Sequence, residues 1–242
     1  MTVGFGAADI HRIAGYLPEL GPGAWLTLKI SLLTMVLSTG FGLVLATGSR
    51  SNLWLIRALV RIISDVGRAI PQLVQVFVWY YTLPLIGIRL DAFTAGVLAL
   101  SVAFAPYVGE IFRAGIEVVP ETQWEAASVL GMRRWLTWRR VILPQALRTA
   151  LPAWTGEFIS IFKATSLLSF ITINEVFGTA TNLAAQNFQY FDLFIGVLIF
   201  YLAMGVPTAL LLKFVEWRLH SDRAPRRSKT LTTEPALQAP MS

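Results

Sequence analysis

The sequence predicts an all-α protein that crosses a membrane five times. Its 242 residues are 55% hydrophobic and only 14% charged, whereas a soluble domain carries about 25% charged residues. Its mean hydropathy is +0.61. Five stretches approach the roughly 20 apolar residues that a helix needs to cross a bilayer, and the basic residues lie mainly between these stretches. A bilayer explains this distribution better than a large soluble core does.

The predicted spans cover residues 24–48, 69–88, 92–112, 149–173 and 193–212. Only Lys29 interrupts the first span, and the second and fifth contain no charged residue. The segment before the second span, LWLIRALVRII, also has helical periodicity, so this span could begin earlier.

The distribution of lysine and arginine predicts the orientation. Sixteen basic residues fall in three segments on one side of the predicted spans (50–68, 113–148 and 213–229), whereas the other side offers only Arg12 and Arg89. Cytoplasmic loops carry the excess of basic residues in membrane proteins. The expected topology therefore has an outside N-terminus, five crossings and a cytoplasmic C-terminus in the inner membrane.

Two terminal segments flank the predicted membrane domain of residues 24–217. Residues 1–23 lack the basic start and unbroken apolar stretch of a signal peptide, and residues 9–17 predict a short amphipathic helix at the outer surface, in contact with lipid. Residues 218–242 are basic and contain proline, which predicts a disordered cytoplasmic tail.

Several kinds of chemistry are excluded by residue types that the chain lacks. It has no cysteine, and its two histidines, His11 and His220, lie near opposite ends, so we expect no metal site and no histidine-based catalytic triad. No Gly-Lys pair occurs, which excludes a Walker A loop for ATP. The net charge of +6 is explained by membrane topology, and no nucleic-acid partner is expected.

The connection from 113 to 148 is too long for a tight turn and has a helical pattern. Pro120 suits a first helical position, Glu121 complements the positive helix N-terminus, and Gly131 suits the left-handed position after a helix end. Trp124, Ala127 and Leu130 share one face by spacing. The connection therefore predicts a short helix, a glycine turn and a basic helix. By composition, the first helix could dock into another protein's groove or rest on lipid.

The amino-acid sequence of this connection contains a motif typical of a known protein family. The segment EAASVLGMRRWLTWRRVILP resembles the EAA motif of ABC importer membrane subunits: Glu125-Ala126-Ala127, then Gly131, Val141 and Leu143-Pro144 at the motif's spacings. The one departure is Val141, where the motif has isoleucine, and this change conserves shape.

The resemblance extends over about residues 24–218 and is closest to the polar amino-acid permeases, the histidine, glutamine and arginine branch. RAIPQLVQVFVWYYTLP, APYVGEIFRAGIEVVPETQWEAA and GEFISIFKATSL are similar to stretches of that branch. Gly156 stands where the branch has asparagine, and Ala164 stands where it has aspartate or asparagine. These departures leave open which amino acid is carried.

The resemblance implies a type I importer permease without enzymatic activity of its own. The coupling segment, with Trp124, Glu125, Ala126, Ala127 and Gly131, would seat on a cytoplasmic ATPase dimer that binds ATP and magnesium. The other implied partners are a second permease subunit, identical or a sister chain, and an extracytoplasmic binding protein. No cofactor is expected in this chain.

Ionisable and amide side chains within the predicted spans need a separate explanation, because such groups are costly at bilayer depth. Lys29 and Glu110 lie near span ends, where they can reach the interface. The remaining candidates could line the substrate path, or could serve packing or inter-span ion pairs: Gln72, Gln75, Glu157, Lys163, Thr165 and Ser166. Glu157 and Lys163 are six residues apart and project about 240° apart around a helix, so we expect no pairing between them.

Two other functions would each explain part of the sequence. Ser160 and Lys163 form an S-x-x-K pattern on one helical face, as in some hydrolases, but two fixed residues match easily by chance. A channel would explain the spans but not the EAA segment.

Overall fold

The structure, a computed structural model, describes residues 7–220, and these form nine α-helices joined by short turns. The helices are α1 (Ala7–Gly48), α2 (Trp54–Ala69), α3 (Gln72–Phe77), α4 (Ala92–Glu117), α5 (Glu121–Val129), α6 (Arg134–Thr137), α7 (Leu143–Ala164), α8 (Val176–Asn187) and α9 (Tyr190–His220). The described part of the chain is all-helical, as predicted. Most of the tail predicted to be disordered, from 221 onward, lies outside the described residues.

Helix α1 corrects the prediction for the N-terminal segment. The short, separate helix expected over residues 9–17 is the beginning of α1, which continues without a break to Gly48. Pro18 and Pro22 lie inside this helix. At about 1.5 Å per residue, 42 residues extend well beyond the roughly 30 Å of a bilayer core, so the first turns of α1 can pack against elements outside the predicted span.

Three helices are individually long and apolar enough to cross a membrane: α1, α4 and α9. Helix α4 is central, because 67% of its apolar window is buried, against 17% for α9. Its start is capped by the Asp91 carboxylate, which accepts hydrogen bonds from the Thr94 N–H at 3.0 Å and the Thr94 hydroxyl at 2.6 Å. These bonds lower the pKa of Asp91 below its usual value.

The second predicted span is one arm of a bent pair. Helix α2 and the segment Gln72–Ile86 meet at an angle of 103°, because Pro71 forces the preceding Ile70 into extended backbone at ψ 126°. After α3 the chain continues through a π-helical turn (Val78–Thr82) and a 3-10 helix (Leu83–Ile86). The helical periodicity of LWLIRALVRII is therefore confirmed. This segment lies in the separate helix α2 and does not continue straight into the second span.

The fourth predicted span is also followed by a bend. Helix α7 continues as a 3-10 helix (Thr165–Ile171), and α8 follows at an angle of 43°. Sequence periodicity did not predict α8 as a separate element. If each bent pair counts as one span, the described chain has up to five candidate spans by length and composition.

Helices α1 and α4 cross at close range where two glycines, Gly42 and Gly109, face each other. A Cβ atom placed on Gly42 would lie 2.8 Å from the backbone nitrogen of Gly109, and one on Gly109 would lie 3.0 Å from the Gly42 carbonyl oxygen. Small residues allow helix backbones to approach in this way in membranes, where lipid supplies no hydrophobic drive for association. The main apolar core forms around this pair and includes Ile30, Leu100, Phe104, Ile161 and Leu168.

Candidate functional site

The connection between α4 and α7 folds as predicted in its backbone. Helix α5 begins at Glu121, directly after Pro120, and Gly131 follows its end with a left-handed φ of 67°. The Gly131 N–H donates to the Ser128 carbonyl at 2.9 Å, and the next N–H, of Met132, donates to the Ala127 carbonyl at 3.0 Å. These bonds satisfy carbonyl groups that a helix end leaves without partners.

Helix α5 is held to the bundle along one side only. Trp124 is half-buried against a small core formed by Val119, Ile142 and Ala146, and Ala127 is 3% exposed. The Gln145 side chain of α7 donates to the Gln123 side chain of α5 at 3.4 Å. This side anchors α5 to the ends of α4 and α7.

The opposite side of α5 faces away from the protein. Glu125, Ala126 and Ser128 are exposed. Beyond them Val129 is 88% and Leu130 78% exposed, so Leu130 does not share the buried face with Trp124 and Ala127 that its spacing predicted. Helix α5 ends at Val129 and the chain turns before Leu130 can reach that face. The result is an apolar tip beside an exposed carboxylate.

A cleft of about 860 Å³ separates α5 from the end of the bundle. Its walls carry both signs of charge and one large aromatic side chain, provided by Arg50, Glu117, Glu121, Trp124 and Arg134. Trp124 therefore belongs both to the anchor of α5 and to the wall of the cleft.

An ion-pair cluster joins α2 to the last turns of α4. Arg113 pairs with two carboxylates: its Nε lies 3.0 Å from Oε2 of Glu110, and its Nη1 lies 2.6 Å from Oε1 of Glu117. Arg68 binds Asp65 at 2.8 Å and approaches Glu110 at 3.9 Å. Glu110 therefore does not simply extend to the interface, as its position predicted. The three- and four-residue spacings around Arg113 were visible in the sequence and are those of neighbours on a helix.

The candidate path residues of α7 fall on different faces. Gly156, Ser160 and Lys163 are exposed and follow one another at helical spacing. Glu157 is half-buried on another face, and within the described residues it forms no ion pair with Lys163. Ala164, the other departure from the family pattern, is 8% exposed and packs in the main core.

The two glutamines of α3 have unequal environments. Gln75 is 9% exposed, and its side-chain nitrogen donates to the carbonyls of Gly67 at 2.9 Å and Ile70 at 3.1 Å. Gln75 therefore ties α3 to the end of α2 across the bend, which matches the packing alternative. Gln72 is half-buried.

Thr165 and Ser166 lie where α7 passes into the following 3-10 helix. Thr165 is fully buried and its hydroxyl donates to the Phe162 carbonyl at 2.8 Å. The half-buried Ser166 donates to the Lys163 carbonyl at 2.9 Å. Of these two side chains, only Ser166 is partly accessible in one copy of the chain.

The S-x-x-K pattern does not form a nucleophile and base in the described structure. The Ser160 hydroxyl is directed to the Gly156 carbonyl at 3.5 Å, a local bond of the helix. Lys163 and Ser160 are both exposed on α7.

Sequence analysis missed two buried carboxylates at the end of the bundle opposite α5. Glu175 is fully buried and caps α8, accepting the N–H groups of Phe177 at 3.0 Å and Gly178 at 2.8 Å. Asp192 is 5% exposed and accepts a bond from Arg12 of α1 at 3.0 Å. Glu175 is the only acidic residue between 158 and 191, and an ionisable residue in such apolar surroundings is a usable signal.

Sequence comparison relates the chain to transport proteins. Residues 38–221 match the family described as "Binding-protein-dependent transport system inner membrane component". The chain is 36% identical over 187 residues to a probable amino-acid ABC transporter permease protein, YckA, of Bacillus subtilis, covering 77% of this chain and 83% of the relative. It is 34% identical over 222 residues to the octopine transport system permease protein OccM of Rhizobium radiobacter, covering 88% and 89%.

Solved structures agree with this relationship. An amino acid ABC transporter crystallised with histidines contains a chain of the same fold, with a TM-score of 0.81 and 34% identity, covering 90% of this chain and all of that one. The inward-facing MetNI methionine ABC transporter shares the fold at a TM-score of 0.67 and 19% identity, covering 86% and 97%. The chain belongs to the family of binding-protein-dependent transport system inner membrane components and is a multi-pass protein of the cytoplasmic membrane.

Proposed function

We propose that this chain is the permease subunit of an ABC importer that carries a polar amino acid or a close derivative. A separate ATPase dimer drives the transport, and an extracytoplasmic binding protein delivers the substrate. The relatives support this substrate class, because their names refer to amino acids and to octopine. ATP and magnesium belong to the ATPase partner, and the N-terminus lies outside.

The observation that carries this proposal is the half-anchored helix α5. Trp124 and Ala127 hold it to the bundle, whereas Glu125, Ala126 and the apolar tip are exposed. An exposed helix face with small and apolar residues suits insertion into a groove of another protein. Glu125 is exposed and forms no hydrogen bond or ion pair with the described residues, so its carboxylate is available to a partner.

The anchor explains how movement of an ATPase would reach the membrane helices. Helix α5 follows α4 after three residues, and its core includes Ile142, which directly precedes α7, and Ala146 in the first turns of α7. A pull on α5 would therefore act on the central helix α4 and on α7 together. This is rigid-body transmission between two states.

The exposed row of α7 supports a path shared with a second subunit. Gly156, Ser160 and Lys163 face away from the core of this chain, and a second permease copy or sister chain would enclose them. Lys163 would then offer a positive charge to a substrate carboxylate. Glu157, Gln72 and Ser166 are only partly accessible, and Gln75 and Thr165 act through packing.

The experiment reconstitutes the chain with its ATPase and binding protein and compares Glu125→Lys, Gly131→Leu and Gly87→Leu. Gly87 is the matched control, since its φ is also positive at 90° and a Cβ there meets no atom within 4 Å, but it precedes α4 at the end remote from α5. We expect the first two variants to lose ATPase co-purification and uptake while remaining inserted in the membrane. We expect the control to retain ATPase co-purification.

Two results would overturn the proposal. One is normal ATP-dependent uptake in both α5 variants. The other is uptake that persists without any nucleotide-hydrolysing partner, which would favour a channel.

A further inference from the structure

A second cleft, of about 510 Å³, lies between α2 and the last turns of α4. We call it the arginine cleft, after the five arginines that line it: Arg50, Arg57, Arg61, Arg68 and Arg113. Three carboxylates share its walls, those of Asp65, Glu110 and Glu117. The cleft therefore keeps two positive charges in excess, and its cations are all guanidinium groups.

Only two of the five arginines form ion pairs with these carboxylates. Arg68 and Arg113 form the ion pairs described above. One guanidinium nitrogen of Arg57, Nη1, donates hydrogen bonds to the carbonyl oxygens of Ser51 at 2.7 Å and Asn52 at 3.1 Å. Arg50 and Arg61 are exposed and form no hydrogen bond or ion pair with the described residues. Arg50, Arg61 and the free donors of Arg57 therefore present an unoccupied set of N–H groups to the cleft.

The opposite face of α2 is apolar and largely exposed. At 100° per residue, Arg57, Arg61 and Arg68 fall within an arc of about 40°. The apolar row of α2 occupies the opposite arc and consists of Leu55, Leu59, Ile62, Ile63 and Val66, which are 47–64% exposed. No residue of α2 is buried. A helix with these two faces belongs at a membrane interface.

The bend at Pro71 gives α2 the matching orientation. The segment Gln72–Ile86 meets α2 at 103°, so α2 lies close to the membrane plane when that segment crosses the bilayer. The apolar row can then reach the acyl chains while the arginine cleft remains at headgroup depth. The apolar face of α2 thus contacts the hydrocarbon layer, and its arginine face contacts the charged headgroup layer.

We propose that the arginine cleft binds the headgroup of an anionic phospholipid, whose acyl chains lie along the apolar row of α2. Guanidinium groups bind phosphate through paired, charge-assisted hydrogen bonds. A free phosphate ion would use the cleft but not the apolar row, whereas an anionic phospholipid uses both. Each basic group near an anionic membrane surface contributes to such binding.

The test titrates the purified full-length chain in a neutral detergent with phosphatidylglycerol, and in parallel with phosphatidylcholine and inorganic phosphate. Bound lipid is counted by native mass spectrometry. The test variant is Arg57→Gln/Arg61→Gln, and its matched control is Arg139→Gln/Arg140→Gln, which removes two exposed arginines outside the cleft. At roughly one tenfold step per 1.4 kcal/mol and about 1 kcal/mol per arginine, the test variant should bind phosphatidylglycerol about thirtyfold more weakly.

The expected pattern is selective. The native chain and the control variant should bind phosphatidylglycerol with equal affinity and in preference to phosphatidylcholine. Arg57→Lys/Arg61→Lys should bind more tightly than the glutamine variant, because charge is kept. If the double glutamine variant does not fold, the single variant Arg61→Gln should bind about fivefold more weakly.

Three outcomes would refute the lipid site. The first is an equal loss of phosphatidylglycerol affinity in the test and control variants, which would indicate a general charge effect. The second is equal binding of the two phospholipids. The third is full competition by millimolar inorganic phosphate, which would assign the arginines to a free anion.

Discussion

The hydroxyl of Thr27 on α1 lies 3.3 Å from the buried carboxylate of Glu175, to which it donates a hydrogen bond across 148 positions of sequence. The same hydroxyl oxygen accepts the Val176 N–H at 3.2 Å. Tyr201 of α9 also donates to this carboxylate, at 3.4 Å. One side chain thus connects α1, the first turn of α8 and α9 at the end of the bundle opposite α5.

Removing the Glu175 carboxylate should destabilise this end of the bundle. Glu175→Ala leaves the N–H groups of Phe177 and Gly178 without their acceptor, and we expect a loss of about 3 kcal/mol in unfolding free energy. Glu175→Gln keeps an acceptor oxygen and should lose about 1 kcal/mol. Thermal unfolding of the purified chain in detergent measures both changes.

The control for this prediction is Glu19→Ala, which removes an exposed carboxylate from α1. It should leave the unfolding temperature unchanged. Equal unfolding temperatures for Glu175→Ala and the native chain would show that the Glu175 bonds contribute nothing to stability.

Gln75 should prove structural and Gln72 should not. Gln75→Leu removes both bonds that connect α3 to the end of α2, so we expect it to cost about 1–2 kcal/mol. Gln72→Leu, three residues away and half-buried, should change stability by less than about 0.5 kcal/mol. Unfolding temperatures of the two variants test this difference, and a larger loss for Gln72→Leu would contradict it.

Two glycines of α1, two residues apart, should respond to alanine in opposite directions. Gly42→Ala places a methyl group 2.8 Å from the Gly109 nitrogen, which should cost about 1–3 kcal/mol through overpacking. Gly40→Ala meets no atom within 4 Å and should stabilise the helix by up to about 1 kcal/mol. Equal effects on thermal unfolding would mean that the α1–α4 crossing is not close-packed at Gly42.

Lys163 should affect transport without affecting the fold. If it meets a substrate carboxylate, Lys163→Ala should reduce uptake by about tenfold to a hundredfold, the loss of one charge-assisted contact. Lys29→Ala is the matched control, since Lys29 is also exposed within a predicted span and lies 5.2 Å from the Phe93 ring. Uptake measurements with saturating binding protein should distinguish the two lysines. Equal uptake by both variants would remove Lys163 from the path.

Sequence reasoning was accurate where the controlling interactions are local. The long apolar stretches predict helices because a bilayer requires internal backbone hydrogen bonds. Gly131 predicts a left-handed turn because the other residue types are strained there. The motif from Glu125 to Pro144 identifies the family because its spacings lie within one short segment of chain.

Its errors have equally physical causes. Helix α1 was expected to begin near residue 24, but its earlier turns are stabilised by partners far along the chain, as in the pairing of Arg12 with Asp192. Glu110 was predicted to reach the membrane interface from its position near a span end alone. Its actual environment is set by ion pairing with Arg68 of α2 and Arg113 of α4. Leu130 was assigned to a face that α5 does not extend far enough to form.

The sequence by itself determined the helical class, the apolar stretches, the EAA motif and the family, because each depends on composition or on residues close together in the chain. Only the tertiary structure decided that Gln75 holds a bend, that Ala164 is buried while Gly156 is exposed, and that Glu175 joins three helices. These outcomes depend on which groups meet when the chain folds, at separations from 8 positions for Gln75 and Gly67 to 148 positions for Thr27 and Glu175. Hydropathy and helical spacing contain no information about such meetings, since they describe one helix at a time.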